Sequence, residues 1–119
     1  MVWLKRVYDP PSDHDGERFL VERLWPRGVS RSDARLTGWV KELAPSPGLR
    51  KWFGHDPKRW DEFRRRYRAE LREHDKRLLL TELAARAKRG DITLVFAARD
   101  EERNSAAVLK RVLESRTGR

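Results

Sequence analysis

Residues 18–28 read RFLVERLWPRG. The stretch has the composition of a strand, Phe19 to Trp25, that runs into a rigid turn, Trp25-Pro26-Arg27-Gly28. On an extended backbone Phe19, Val21 and Arg23 point to one face, and Leu20, Glu22 and Leu24 to the other. Pro26 cannot donate to a ladder, Arg27 projects from the turn, and Gly28 permits a backbone angle that other residues avoid. Residues 92–104, ITLVFAARDEERN, repeat the design. Ile92 to Ala98 is apolar nearly throughout, as expected of a strand covered on both faces. The run breaks at Arg99-Asp100-Glu101-Glu102-Arg103, and a helix starts near Asn104 or Ser105. Two such strand ends side by side make a polar pocket at one edge of a small sheet. The paired charges of Glu22 and Arg23 each then need a partner or an opening to solvent.

The flanking sequence fills in the rest. Trp3 to Tyr8 alternates bulky and basic residues and reads as a first strand, ended by Asp9-Pro10-Pro11. Ser12 to Gly16 is turn chemistry; its Asp13/Asp15 pair lacks the later glutamate of a calcium loop, so no metal site is expected. Ser30 or Ser32 caps a helix whose Leu36, Trp39, Val40 and Leu43 form one apolar face. Ala44-Pro45-Ser46-Pro47-Gly48 ends it, and Leu49, Trp52 and Phe53 suggest a helical turn inserted into the core. Asp56-Pro57 starts the next helix, with Trp60, Phe63, Tyr67 and Leu71 as its buried stripe. Leu78 to Ala87 is a further helix, closed by Lys88, Arg89 and a C′ glycine, Gly90. The last helix turns Val108, Leu109, Val112 and Leu113 inward, and Ser115 to Arg119 is read as a frayed tail.

This order of elements predicts one small α/β domain over residues 1–119, with a mostly parallel sheet of three to four strands and helices on both faces. The Ile92 strand should be central and parallel to the Phe19 strand, because helices separate them. The direction of the first strand stays open. Asp9 to Glu17 is short for a parallel crossover, and Asp15-Gly16 lacks the clean flanks of a hairpin.

Composition narrows the function classes. A chain of 119 residues with 38% hydrophobic residues supports one modest core. No apolar run approaches the roughly 20 residues of a membrane span. MVWLKRVYD lacks signal-peptide anatomy, and a cytoplasmic location is expected. Without cysteine there is no disulfide, thiol nucleophile or thiolate metal site. The net charge of +9 points to polyanionic partners, and Arg50 to Arg89 holds 14 Lys/Arg against 7 Asp/Glu. Arginine outnumbers lysine 21 to 7, glutamine is absent and Asn104 is the only asparagine. Such a bias also arises from a GC-rich genome or thermal adaptation.

Ligands of open α/β sheets sit beyond the carboxyl ends of the strands. The candidate ligand-binding residues are therefore Glu22, Arg23, Trp25 as a wall, Arg27, Arg99, Asp100 and Asn104. Arginines there would grip a phosphate or carboxylate, next to helix ends whose first N–H groups are unpaired. The alternative is an internal salt network of Glu22/Arg23 with Arg99/Asp100. Phosphate loops, serine-hydrolase elbows and zinc-helix motifs are absent. Asp100, Glu22 and His55 remain as general acids or bases with no nucleophile arranged among them, so enzyme activity is left open and no cofactor is expected. Arg64, Arg65, Arg68 and Arg72 form an alternative nucleic-acid face, although Glu62–Arg66 and Glu73–Arg77 have helix salt-bridge spacing. A protein-interaction or regulatory domain is the third reading. Oligomeric state is not readable.

Several motifs together resemble the YeaO-like proteins of bacteria, a domain of unknown function 488. They are Lys5-Arg6-Val7-Tyr8-Asp9, Leu20 to Gly28, Leu43-Ala44-Pro45-Ser46, Leu49-Arg50-Lys51-Trp52-Phe53, His55-Asp56-Pro57, the Phe63…Tyr67…Glu70-Leu71 spacing, Leu94 to Asp100, Asn104 and Val108-Leu109. The resemblance covers nearly the whole chain. It implies a compact α/β domain and no established activity. Glu22 stands where the family is expected to carry aspartate, which keeps the carboxylate and changes its reach. More distant relatives have an aspartate-arginine pair and a cysteine-histidine-arginine loop at corresponding strand ends. This chain has Arg99, Asp100 and Asn104 in the second place, so thiol chemistry does not carry over.

Overall fold

The computed structural model describes residues 1–117. Strands β1 (Val2–Arg6), β2 (Glu17–Leu20), β3 (Gly38–Trp39) and β4 (Ile92–Phe96) form one sheet in the order β1-β4-β2-β3. All three pairings are parallel: Val2 opposite Ile92, Glu17 opposite Ile92, and Phe19 opposite Gly38. The helices are α1 (Arg31–Ala34), α2 (Pro47–Phe53), α3 (Trp60–Glu70), α4 (His74–Arg89) and α5 (Ser105–Arg116). The expected α/β fold with a central Ile92 strand parallel to the Phe19 strand is therefore observed.

β4 explains the first connection. β1 and β2 are not neighbours, because β4 lies between them. The link from β1 to β2 has only to return along the sheet and step across a gap of two strand spacings, roughly 10 Å. It does so without a long helix, through a single 3₁₀ turn at Asp13–Asp15 with a capping box on Ser12. β1 is thus parallel.

The two faces are covered unequally. Val2, Phe19, Val21, Ile92, Leu94 and Phe96 meet α2 to α5 in the main core. The other face carries a smaller cluster, Leu20, Val95 and Val7, beneath Trp25, Val29, Leu36 and Trp39, with short α1 alongside. The helix predicted over Leu36 to Leu43 is not formed. α1 ends after Ala34, where Arg35 takes a left-handed φ of 47°. The Thr37 and Val40 amides then donate to the carbonyls of Arg18 and Leu20, so residues 37–40 lie along β2. The apparent helical stripe splits, with Leu36 and Trp39 on one face of the sheet and Val40 and Leu43 on the other.

Other boundaries shift for local reasons. The Phe19 strand begins at Glu17 and ends at Leu20 rather than Trp25, with one further ladder bond from the Val21 amide to the Val95 carbonyl. The Asp56-Pro57 start is a 3₁₀ turn that leads into α3. α4 starts at His74, before Leu78, and Gly90 is extended rather than left-handed. α5 continues through Ser115 and Arg116; Gly118 and Arg119 of the expected tail lie outside the described residues. The α3 stripe is as predicted: Phe63 stacks on Phe53 at 4.3 Å, and Tyr67 lies 5.8 Å from Phe63.

A buried ionic cluster fastens the first link to the sheet. Asp15 and Arg18 are both buried and pair at 2.6 Å, and Lys5 reaches Asp15 at 2.8 Å. The Arg18 guanidinium also donates twice to the Ala34 carbonyl, and Thr93 Oγ1 donates to the Asp15 carbonyl. Burial alone would raise the Asp15 pKa, but hydrogen bonds from Lys5, the Ser12 amide and Arg18 outweigh it and hold the carboxyl below its ordinary value. The stabilisation is then present above the unfolded-state pKa of about 3.9 and is lost as pH falls through the lower folded value.

Two tests follow from this frame. At Gly16, φ is 63° and an added Cβ would lie 2.0 Å from the Asp91 carbonyl oxygen. Gly16→Ala should cost more than about 2 kcal/mol, lowering Tm by about 8 °C or more, whereas Gly48→Ala should be near neutral. Asp15→Asn should cost about 3–5 kcal/mol by leaving Arg18 buried without its anion, and should flatten the acid limb of the stability–pH curve in urea titrations.

Candidate functional site

Where β4 ends, its backbone needs new partners, and side chains supply them. The Ala97 amide donates to Glu22 Oε2 at 3.2 Å. The carbonyls of Ala97 and Ala98 accept from the Arg6 guanidinium at 3.2 and 2.9 Å. Glu22 is held in turn by the Trp39 indole, which donates to its carbonyl oxygen. Arg23 turns the other way and donates to the carbonyls of Ala44 and Pro45, each at 3.2 Å. The segment it grips is fixed from below. Tyr67 Oη donates to the Leu43 carbonyl, and Glu70 accepts from both the amide and the hydroxyl of Ser46. Burial drives the Tyr67 pKa far up, so this phenol stays a donor.

A cleft of about 200 Å³ opens between these groups, at the carboxyl ends of β2 and β4. Its floor is apolar, with Val21, Phe53, Phe63, Ala97 and Ala98. Its polar lining is Glu22, Arg23, Arg50, His55, Arg103, Asn104 and Ser105. Burial raises the Glu22 pKa, and the Ala97 amide together with the charges of Arg50 and His55 offset only part of that rise. His55 adopts a left-handed φ of 58° directly after Gly54 at 52°, which ends α2 and places the imidazole at the rim.

Asn104 joins the cleft to α5. Its Oδ1 accepts from the Ala107 amide as an N-cap, and its Nδ2 donates to the Asp100 carbonyl, each at 2.9 Å. Asp100 Oδ1 accepts from the amides of Arg103 and Glu102, and these bonds, with the Arg103 charge, lower its pKa. The loop is therefore shaped by its own hydrogen bonds.

Of the residues singled out from sequence, Glu22, Arg23 and Asn104 line this cleft, and Trp25, Arg27, Arg99 and Asp100 do not. Trp25 lies under the other face of the sheet, edge-on to Trp39 at 5.5 Å with Arg31 stacked at 4.5 Å. It is a packing residue, because the strand ends five residues earlier than its composition suggested. Arg27 and Arg99 are exposed, and the Arg27 carbonyl accepts from Tyr8. A salt network joining Glu22 and Arg23 to Arg99 and Asp100 is not formed: Glu22 bonds the Ala97 amide, and the ion-pair partner of Asp100 is Arg103 at 3.7 Å. Arg50 and Arg103 were not anticipated. The signal for Arg50 is its place directly after inward-facing Leu49 on a short helix that starts beside the Arg23 contact.

The Arg-rich helix is partly self-paired. Arg64 pairs with Asp61, Arg65 and Arg66 pair with Glu62, and Arg66 stacks on Trp52 at 4.3 Å. Glu73 pairs with Lys76 rather than Arg77. Among the described residues no group of three His, Asp or Glu is placed to hold a metal ion, and no helix is long and apolar enough to cross a membrane.

A family model described as "Inactive DUF488-N3 subclade" matches residues 1–119. The chain belongs to this DUF488 family. An uncharacterized protein of Mycobacterium tuberculosis (strain ATCC 25618 / H37Rv), Rv3073c, is 44% identical over 115 residues, covering 97% of this chain and 95% of its own. The uncharacterized protein YeaO of Escherichia coli (strain K12) is 43% identical over 114 residues, covering 96% and 97%. No solved structure matches the chain significantly. The YeaO-like resemblance read from the motifs thus stands, and these relatives' names assign no activity.

Arg23 and Arg27 separate a structural role from a merely exposed one. Arg23→Ala should destabilise the domain by about 1.5–3 kcal/mol, since two charge-assisted bonds to carbonyls are lost. Arg27→Ala should change stability by less than about 0.5 kcal/mol. Urea denaturation of the two variants measures the difference.

Proposed function

We propose that this domain binds a small anionic ligand, a phosphorylated metabolite or nucleotide, in the cleft at the carboxyl ends of β2 and β4. The observation that carries the reading is the lining itself: Arg23, Arg50, Arg103 and His55 around a single carboxylate, Glu22. Arg23 is held by carbonyls of the chain and Arg103 is paired only at 3.7 Å with Asp100, which leaves Arg50, exposed at the rim, as the unpaired guanidinium and Arg103 as one that can exchange its carboxylate for a phosphate. The first turn of α5 at Ser105 adds the positive end of a 12-residue helix on the same side. The apolar floor suits a compact organic body, and about 200 Å³ is below the usual range for drug-sized ligands, which favours a small one.

Binding without turnover fits this arrangement better than catalysis. The chain has no cysteine, and the family model's description carries the word inactive. A cytoplasmic setting, where phosphorylated metabolites are abundant, belongs to the same reading. Nucleic acid is not favoured as the ligand of the Arg64–Arg65 face, because those two cations already have carboxylate partners.

Glu22 gives the cleft a proton-linked affinity. An anion placed beside it disfavours its charged form, so proton and anion bind together. Affinity for inorganic phosphate or AMP should rise as pH falls through the raised Glu22 pKa. Glu22→Gln should flatten the lower part of this profile. At fixed pH, Arg50→Ala with Arg103→Ala should abolish ligand-induced thermal stabilisation, and Arg27→Ala should retain it. Equal stabilisation of the double variant and the wild type by a panel of phosphorylated metabolites would overturn the proposal.

A further inference from the structure

A second concentration of cations lies at the far end of α5. Arg68 of α3, Arg72 of the α3–α4 link, Arg77 in the first turns of α4 and Arg116 at the end of α5 line one groove of about 160 Å³. Leu71 and Leu80 form part of its floor, and no Asp or Glu lines it among the described residues. The cleft is at the other end of the same helix, about 16 Å away by helix rise from Ser105 to Arg116.

The charges in this groove are left over in a way the rest of the helix surface is not. Neighbouring Arg64, Arg65 and Arg66 have carboxylates, and Arg59 and Arg66 lie on Trp52. Arg68, Arg72 and Arg77 make no side-chain hydrogen bond, ion pair or ring contact among the described residues, and Arg116 donates only to Thr81 Oγ1 at 3.1 Å. Helix dipoles account for only part of the cluster. Arg68 and Arg116 sit in last turns, where a cation is favoured. Arg77 sits near the amino end of α4, where it is not. Four like charges brought together by three helices and a link repel one another unless an anion joins them.

We propose that this groove is a second anion site, independent of the cleft, for a compact polyphosphate group. Its size suits one short phosphate chain, and its purely cationic lining suits a ligand with several negative charges in a small volume. The neighbouring groove formed by Trp60, Arg64, Arg68 and Arg111 contains Glu102, so the unopposed positive surface is local rather than a continuous track. That argues for a free inorganic chain or the triphosphate end of a nucleotide rather than a nucleic-acid backbone.

Isothermal titration with sodium tripolyphosphate in about 20 mM salt, where surface charge is weakly screened, tests the assignment. Wild-type protein should bind it. Arg72→Ala with Arg77→Ala should weaken binding about tenfold or more, as expected for loss of two charge-assisted contacts. Arg64→Ala with Arg65→Ala, which removes the same charge outside the groove, should change it less than about threefold, and so should the cleft pair Arg50→Ala with Arg103→Ala. ATP following the same pattern assigns the nucleotide source as well; tripolyphosphate alone assigns the inorganic one. No binding by the wild type, equal losses in the Arg64/Arg65 pair, or loss that follows the cleft pair would overturn the proposal. So would tighter binding of a single-stranded oligonucleotide lacking a terminal phosphate.

Discussion

Everything in this fold depends on β4 being hydrogen-bonded on both edges and covered on both faces. All five of its residues are buried, and it pairs with β1 and β2 in the same register origin, with both Val2 and Glu17 opposite Ile92. A strand so enclosed has no solvent to satisfy its polar groups, so it is apolar except for Thr93, whose hydroxyl is satisfied by the Asp15 carbonyl, and its ladder is complete. It is also the last strand in the chain. β1 and β2 therefore cannot form their final sheet until residues about ninety positions downstream of β1 arrive between them. In the folded sheet the link from β1 to β2 carries a buried ion cluster that ties these two non-adjacent strands together: Asp15 bonds Lys5 of β1 and Arg18 of β2, and its carbonyl accepts from Thr93 of β4.

The same constraint makes the cleft. When β4 leaves the sheet, the Ala97 amide and the Ala97 and Ala98 carbonyls lose strand partners at a place still largely shielded from water. Arg6 from one neighbour supplies the donors, and Glu22 from the other supplies the acceptor. A carboxylate used in this way sits close to apolar surface, and burial raises its pKa. The positive groups around it limit that rise. Structural need and the electrostatics of the cleft are thus one arrangement, since the carboxylate that finishes the sheet is also the charge an incoming anion must meet.

The parts of the fold with a local physical signature were legible in the sequence. The aromatic stripe of α3, the Asn104 cap of α5 and the nearly continuous apolar run of β4, broken only by Thr93, each follow from neighbouring residues alone. Residues 30–43 were not legible, because Leu36, Trp39, Val40 and Leu43 satisfy helical spacing by coincidence. The deciding contacts are the Thr37 and Val40 amides on β2, and periodicity does not report them. The site divides in the same way. Glu22, Arg23 and Asn104 flank strand and helix ends that the sequence marks, so they could be named as candidates. His55 could be named only as a possible acid or base; its place in the cleft, like that of Arg50 on α2, depends on Phe53 packing against Phe63. Trp25 was misplaced for a related reason. A strand composition continued past Leu20, but a side-chain acceptor at Glu22 replaced the ladder there.

The arginines of this chain fall into distinct structural groups. A net charge of +9 carries little information while its members are interchangeable, and in the fold they are not. Arg6, Arg18 and Arg23 close backbone carbonyls and are part of the scaffold. Arg64, Arg65 and Arg66 are neutralised on their own helix. Arg59 lies over an indole and also donates to a carbonyl. Those roles use the guanidinium's planar donors inside the molecule, and they would select arginine over lysine with no ligand at all. Cations that converge from separate elements without such partners are different, because folding brings their repulsion together and gains nothing local in return. Only that remainder argues for an external anion; Arg68, Arg72 and Arg77 carry it at one end of α5, and Arg50 beside Glu22 carries it at the other.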